Sequence, residues 1–245
     1  MEFFAKSDVG RKRKNNEDSY LAKKYNDCVS LFIVADGLGG YLSGEVASKT
    51  LVESVSNYIE ENLSRIVELD EKKVCNMIEI ALTFANEKIF KLEKTDEKYK
   101  GMGTTVVLVL KIMDKVYYTS VGDSRLYQVD DKLGNICQIT VDDTYVNELI
   151  RKNVITKEDA KTHPQRHMLT KAVGVVRHVN VKVELLEKSN GYLLLCSDGV
   201  TNMLKDKELL EILRENKLSL VVEKIIETAN SNGGSDNITA IVIKL

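Results

Sequence analysis

Four aspartates in this sequence stand at the ends of apolar runs, and that placement limits the fold more than any other feature. Asp36 follows LFIVA (31–35), Asp123 follows VYYTSV (116–121) and a glycine, and Asp198 follows GYLLLCS (191–197). Asp236 stands directly before NITAIVIKL (237–245). Short apolar runs bounded by Gly, Ser or Asn read as buried strands. Any one of these acids alone reads as an ordinary turn aspartate. Four of them, with Glu17-Asp18 at a further strand start, gather negative charge at one end of a sheet system, where it requires a compensating cation.

The remaining runs fill in the sheets. TTVVLVLKI (104–112), LYQV (126–129) and ICQIT (136–140) join VYYTSV at hairpin spacing, with DDKLGN as a turn, and predict an antiparallel meander. VNVKVELL (179–186) predicts another strand. Helical stripes alternate with the strands. Val46, Ala47, Leu51, Val55, Tyr58, Ile59 and Leu63 form one, with Ser43 as its expected N-cap. Val74, Met77, Ile78, Ala81, Leu82, Ala85 and Ile89 form a second, and a later pair runs through Leu209, Ile212 and Leu213, then Leu220, Val221, Ile225 and Ile226. Hairpins with long amphipathic helices predict an α+β fold of stacked layers and mostly antiparallel sheets. Residues 143–170 are polar and read as an insertion between strands.

Composition excludes several classes. With 245 residues, one proline (Pro164) and no linker-like stretch, a single domain over 1–245 is expected. Lys+Arg 35 against Asp+Glu 37 gives no bulk attraction for nucleic acid. Cys28, Cys75, Cys137 and Cys196 form no C-x-x-C pair, and Cys75 and Cys196 sit among apolar residues as expected free thiols in a reducing compartment. MEFFAKSDVG lacks the apolar core of a signal peptide, and no run approaches the ~18 residues of a membrane helix. A cytoplasmic protein without membrane contact is expected.

The glycines of DGLGG (36–40) raise a phosphate cradle as the rival of a metal site. The spacing lacks the third glycine of a dinucleotide turn, and no G-x-x-x-x-G-K-[ST] occurs. Oxygen donors without Cys or His partners point to Mg²⁺ or Mn²⁺. Arg11-Lys-Arg-Lys14 precedes Asn15-Asn16-Glu17-Asp18, and a forked guanidinium beside an acidic metal site suits phosphate oxygens. Acids, cation and arginine together indicate phosphoryl chemistry.

In order along the chain, SDVGRKRKNNEDSY (7–20), VADGLGG (34–40), GMGTTVV (101–107), VGDSRLY (121–127), HPQRHMLTKAVG (163–174), LCSDGV (195–200) and GGSDNIT (233–239) resemble the metal-dependent Ser/Thr protein phosphatases of type 2C, specifically their compact bacterial members. The resemblance implies a four-layer α-β-β-α sandwich with a flap at about 143–170 and a two-metal centre. It implies that Asp36 bridges both ions and Gly37 offers its carbonyl. Asp198 and Asp236 would complete one shell, while Glu17 and Asp18 hold the other ion directly or through water. Asp123, with Asp198, matches the position of a third, weaker ion. Arg13 would clamp the phosphate and Asn237 would support the site from behind.

The implied reaction is direct attack of a water or hydroxide lying between the two metals on the phosphorus of phospho-Ser or phospho-Thr, with no Cys or Ser nucleophile. Animal-type relatives carry a histidine where this chain has Leu38, so the proton donor is either a water or His163 from the flap. The implied partners are phosphoproteins and a bacterial Ser/Thr kinase that the enzyme opposes, and a monomer is the simplest state. A phosphatase dedicated to a phosphorylated anti-anti-sigma-type regulator, an inactive phosphoprotein-binding module and a divalent-metal nuclease or small-molecule phosphatase are the competing readings. The intact set of acids weighs against the inactive module, and the near-neutral charge weighs against the nuclease.

Overall fold

The computed structural model describes residues 1–39, 43–68, 70–187 and 190–245. Among these residues, two sheets face each other. One has the strand order β1-β11-β10-β7-β8, built from Glu2–Asp8 (β1), Ile238–Lys244 (β11), Tyr192–Cys196 (β10), Arg125–Val129 (β7) and Ile136–Gln138 (β8). The other has the order β2-β3-β5-β6-β9, built from Asp18–Lys24 (β2), Val29–Leu38 (β3), Val106–Ile112 (β5), Lys115–Val121 (β6) and Glu184–Leu185 (β9), and the short β4 (Gly103–Thr104) pairs with the end of β3. All the pairings are antiparallel.

The continuous apolar strands follow from burial on both faces. In β3, Leu31, Ile33 and Ala35 face one helical layer, while Phe32 and Val34 face the opposite sheet. In β10, Leu194 and Cys196 face the other helical layer, while Leu193 and Leu195 point between the sheets. The first helical layer is α1 (Ser43–Glu61), the single turn α2 (Leu63–Ile66) and α3 (Glu71–Leu92), whose capping Asp70 accepts the Lys73 amide at 2.9 Å. The second is α6 (Asp198–Thr201), α7 (Asp206–Glu215) and α8 (Leu218–Ser231). The result is the expected α-β-β-α sandwich, with Phe3 and Phe32 meeting edge to face at 5.1 Å between its sheets. No helix among the described residues is long and apolar enough to cross a membrane. The four cysteines are free, with Cys196 buried and Cys75 half-buried.

Three local expectations are corrected. The meander does not continue past β6, because β7 leaves for the other sheet and pairs with β8 and β10. Gly122 makes the switch: its φ is +99°, and a Cβ there would lie 2.6 Å from the Thr105 methyl. Of residues 179–186 only Glu184–Leu185 pair as a strand, since the Lys182 carbonyl is taken by the Thr119 hydroxyl at 2.9 Å. Ser43 is the first helical residue of α1 rather than its cap.

Within 143–170 lie α4 (Tyr145–Arg151) and α5 (Lys157–Thr162), the latter opened by a reciprocal Thr156–Asp159 capping box. The neck of this flap closes through a Thr144–Leu169 bridge and the Thr170 amide donating to the Asp143 carbonyl at 2.8 Å. Beside the neck, Arg125 grips the buried Asp142 carboxylate at 2.7 to 3.1 Å.

Candidate metal centre

The acids converge because each sheet delivers its strand ends to the same side. Antiparallel pairing of β2 with β3 puts Asp18 directly opposite Asp36. The backbone of Asp36 is tied down by its amide donating to the Thr105 hydroxyl (3.0 Å) and by its carbonyl accepting from the Thr105 amide (2.8 Å) and the Thr104 hydroxyl (2.9 Å). That leaves the carboxylate to face the cleft. The other sheet brings Asp198 at the end of β10 and Asp236 at the start of β11. Gly122 brings Asp123 in from the crossing between the sheets.

A cleft of about 170 Å³ is lined by Arg13, Glu17, Asp36, Gly37, Asp123, Asp198, Asp236 and Asn237, with Leu38, Gly39, His167 and Leu169 completing its wall. Asp18 lies behind this wall. Its Oδ2 accepts the Ser197 hydroxyl at 2.8 Å and the Thr239 hydroxyl at 2.6 Å, both from the opposite sheet. Asn237 acts as a strap: its amide group donates to the carbonyls of Val9 and Asn15, each at 2.9 Å, and its Oδ1 accepts the Glu17 amide at 2.8 Å. Arg13 donates to Asp236 Oδ2 at 2.8 Å, with half its side chain exposed.

Two glycines allow β3 to meet the start of α1. A Cβ on Gly37 would fall 2.2 Å from the Gly44 carbonyl oxygen, and one on Gly44 would fall 2.5 Å from Glu17 Oε2. Glu17 is thereby packed against backbone at the cleft edge. Gly39 lines the cleft, whereas Gly40, the last glycine of DGLGG, lies outside the described residues.

The electrostatics are those of crowded anions. Burial, then repulsion from Asp198 and Asp236, lifts the Asp18 carboxyl to about 7 against two stabilising hydroxyl bonds. Burial, followed by the charges of Asp198 and Asp142, lifts Asp123 to about 7. Asp36 is raised well above the carboxylate range, first by burial and then by Asp18, Asp198 and Asp123. Asp198 is raised by burial and by Asp236, against the lowering effect of Asp36 and of the Asn202 amide, which donates to its Oδ2 at 2.9 Å.

Two carboxylate oxygens, Asp18 Oδ1 and Asp198 Oδ1, are buried with no hydrogen-bond partner among the described residues. Orphaned buried carboxylate oxygens are costly, and hard divalent cations are their natural complement. No three His, Cys, Asp or Glu groups among the described residues close on one point as a finished shell; the donors line the cleft instead. The donor set therefore fits divalent ions by chemistry and charge.

The two histidines of the flap take different positions. His163 caps the end of α5, accepts the Gln165 amide on Nδ1 at 3.1 Å and rests 6.1 Å from the Tyr145 ring, away from the cleft wall. His167, four residues on, lines the cleft. Sequence reasoning also passed over Ser197, Thr239 and Asn202, although Ser197 stands next to an acid at a strand end. A larger groove of about 940 Å³ adjoins the cleft and shares Asp123, His167 and Asp198 with it.

The family model for protein phosphatase 2C matches residues 10–242. The serine/threonine phosphatase stp of Listeria monocytogenes serotype 4b is 35% identical over 241 residues, covering 98% of this chain and 94% of the relative. The protein phosphatase PhpP of Streptococcus pneumoniae is 33% identical over 249 residues, covering 100% and 98%. The solved serine/threonine phosphatase of S. agalactiae superposes with a TM-score of 0.89 at 33% identity, covering 100% and 99%. The catalytic domain of the phosphatase PstP, solved with two manganese ions, superposes with a TM-score of 0.83 at 30% identity, covering 98% and 96%.

Proposed function

Belonging to the protein phosphatase 2C family, the chain is a metal-dependent serine/threonine protein phosphatase, and we propose that the cleft where its two sheets meet is the working centre. The observation that carries this reading is the buried carboxylate set with its two orphaned oxygens. Asp36 would be shared by two Mg²⁺ or Mn²⁺ ions. Asp198 and Asp236 would complete one shell. The Gly37 carbonyl and Glu17 would serve the other, with Asp18 bearing on it from behind the wall. Asp123 and Asp198 would take a third, weaker ion. When bound, such ions supply a water acidic enough to attack phosphorus near neutral pH.

The chain's own groups do the rest. The half-exposed guanidinium of Arg13 donates to Asp236 through Nη2 and has further N–H groups that would reach phosphate oxygens and offset their charge. Asn237 keeps the Glu17 loop and the 9–15 segment in register with that arginine. Leu38 has no proton to give. His167 on the cleft wall, rather than His163, is the side chain suited to protonate the departing Ser or Thr oxygen. The substrates would be phospho-Ser and phospho-Thr proteins, modified by a Ser/Thr kinase that the enzyme opposes. We read the chain as one catalytic domain over 1–245 with a flap at 143–170, acting as a monomer in the cytoplasm.

The test is phosphate release from phospho-Thr, phospho-Ser and phospho-Tyr peptides with Mn²⁺ or Mg²⁺. Asp36→Asn and EDTA should each abolish turnover. His167→Gln should slow the phosphopeptide more than an aryl phosphate, whose leaving group needs no acid, and His163→Gln should do neither. Activity surviving Asp36→Asn would overturn the centre, and equal slowing of both substrates would remove His167 as the donor.

A further inference from the structure

The larger groove has a charge pattern that the chemistry at the metals does not use. It begins at Asp123, Asp198 and His167, so it opens directly from the cleft that would hold the phosphoryl group. One wall is the flap, with Arg151 at the end of α4, Lys157 at the start of α5 and Arg166 beyond it; the other carries Lys205 just before α7. All four side chains are exposed, and none takes part in an ion pair among the described residues. Of the groove's four acids, Asp123 and Asp198 belong to the cleft. Asp142 is held by Arg125 and Gln138, and Glu208 accepts the Lys205 backbone amide.

We propose that this groove receives the polypeptide flanking the phosphorylated residue and selects substrates with acidic side chains there. The proposal rests on the phosphatase reading and names its substrate preference. About 940 Å³ stands near the top of the range of small-molecule sites and accommodates a segment of several residues. The unpaired cations are a local concentration in a chain whose net charge is -2, so they do not reflect a generally basic surface. A single-stranded nucleic acid is the other polyanion such a wall could attract, but no Phe, Tyr or Trp lines the groove among the described residues to stack its bases.

Two peptides with the same phospho-Thr, one flanked by Glu and one by Lys, test the idea with the Mn²⁺-loaded enzyme. The Glu peptide should be preferred in kcat/KM by about 3- to 10-fold, as expected for one or two exposed ion contacts. The preference should reside in KM and shrink with added salt. Arg151→Glu/Lys157→Glu should erase or invert it. Hydrolysis of an aryl phosphate, too small to reach the flap wall, reports that the variant has folded with an intact centre. Equal kcat/KM for the two peptides, or a preference that survives charge reversal, would overturn the groove assignment and leave the phosphatase reading standing. Failure to release phosphate from either peptide would instead refute the phosphatase reading, and this proposal with it. Stronger inhibition by an RNA oligomer than by an unphosphorylated Glu-rich peptide would assign the wall to nucleic acid.

Discussion

Replacing Arg125 with Met isolates the contact that holds the base of the flap against β7. Its Nε donates to both oxygens of Asp142 at 3.0 and 3.1 Å, Nη2 donates at 2.7 Å, and Nη1 reaches the Tyr127 hydroxyl at 3.0 Å. Asp142 is 7% exposed, and without the guanidinium it keeps only the Gln138 amide at 2.8 Å as a side-chain donor. Leaving one charge of a buried pair uncompensated costs about 3–5 kcal/mol. The Gln138 bond and the 27% exposure of Arg125 set the expectation near the lower end, at about 3 kcal/mol. For a chain of this length that is a fall in Tm of about 6–12 °C.

Thermal and urea melts in EDTA measure the loss apart from any ion binding. Arg125→Met/Asp142→Leu should recover most of it, because removing both charges leaves nothing unpaired. A single variant melting within about 2 °C of the parent would refute the reasoning, as would a double variant no better than the single.

The pH dependence of the metal-free protein follows from the raised carboxyls. Asp18 and Asp123, lifted to about 7, take up protons in the folded state at a pH where an unfolded Asp is ionised. Their contribution to stability is therefore full below the unfolded value near 4 and is lost as pH rises through 7, by about 2–3 kcal/mol per group between pH 5 and 7. In EDTA the Tm should fall over that interval, and Mg²⁺ at pH 8 should restore it; a flat profile in EDTA would contradict the burial of these charges. Asn237→Ala strands two carbonyls and the Glu17 amide, so it should destabilise the protein by about 3 kcal/mol and lower metal affinity in a titration. Unchanged affinity would deny Asn237 its positioning role.

The acids were legible because strand ends are legible: a buried apolar run stops short of Asp36, Asp123 and Asp198, and another starts just after Asp236. The partners that hold Asp18 were not, since Ser197 and Thr239 are 179 and 221 residues away along the chain and meet it only when the sheets stack. Strand β1 escaped notice because EFFAKSD has no fully buried residue, with Glu2 and Lys6 exposed and the rest half-buried, and carries no clean alternation. The meander misled because hairpin spacing is blind to which sheet the next strand joins, a choice made here at Gly122. His163 and His167 are equivalent in a sequence. The turns at Arg166 and Met168, which donate to the carbonyls of His163 and Gln165, decide which of the two imidazoles meets the cleft.

The hydroxyl clamp on Asp18 has a mechanical meaning. Asp18 belongs to one sheet, while Ser197 and Thr239 lie at strand boundaries on the other, so their two short bonds cross the gap between the layers. A slide of one sheet over the other would therefore strain both bonds and change the spacing between Asp18 and the carboxylates of the opposite sheet. Residues that only fill the gap, such as Phe32, Leu195 and Ile241, consequently set the gauge of the centre from a distance. Repacking them would shift the two sheets relative to each other, and with them the spacing of these carboxylates.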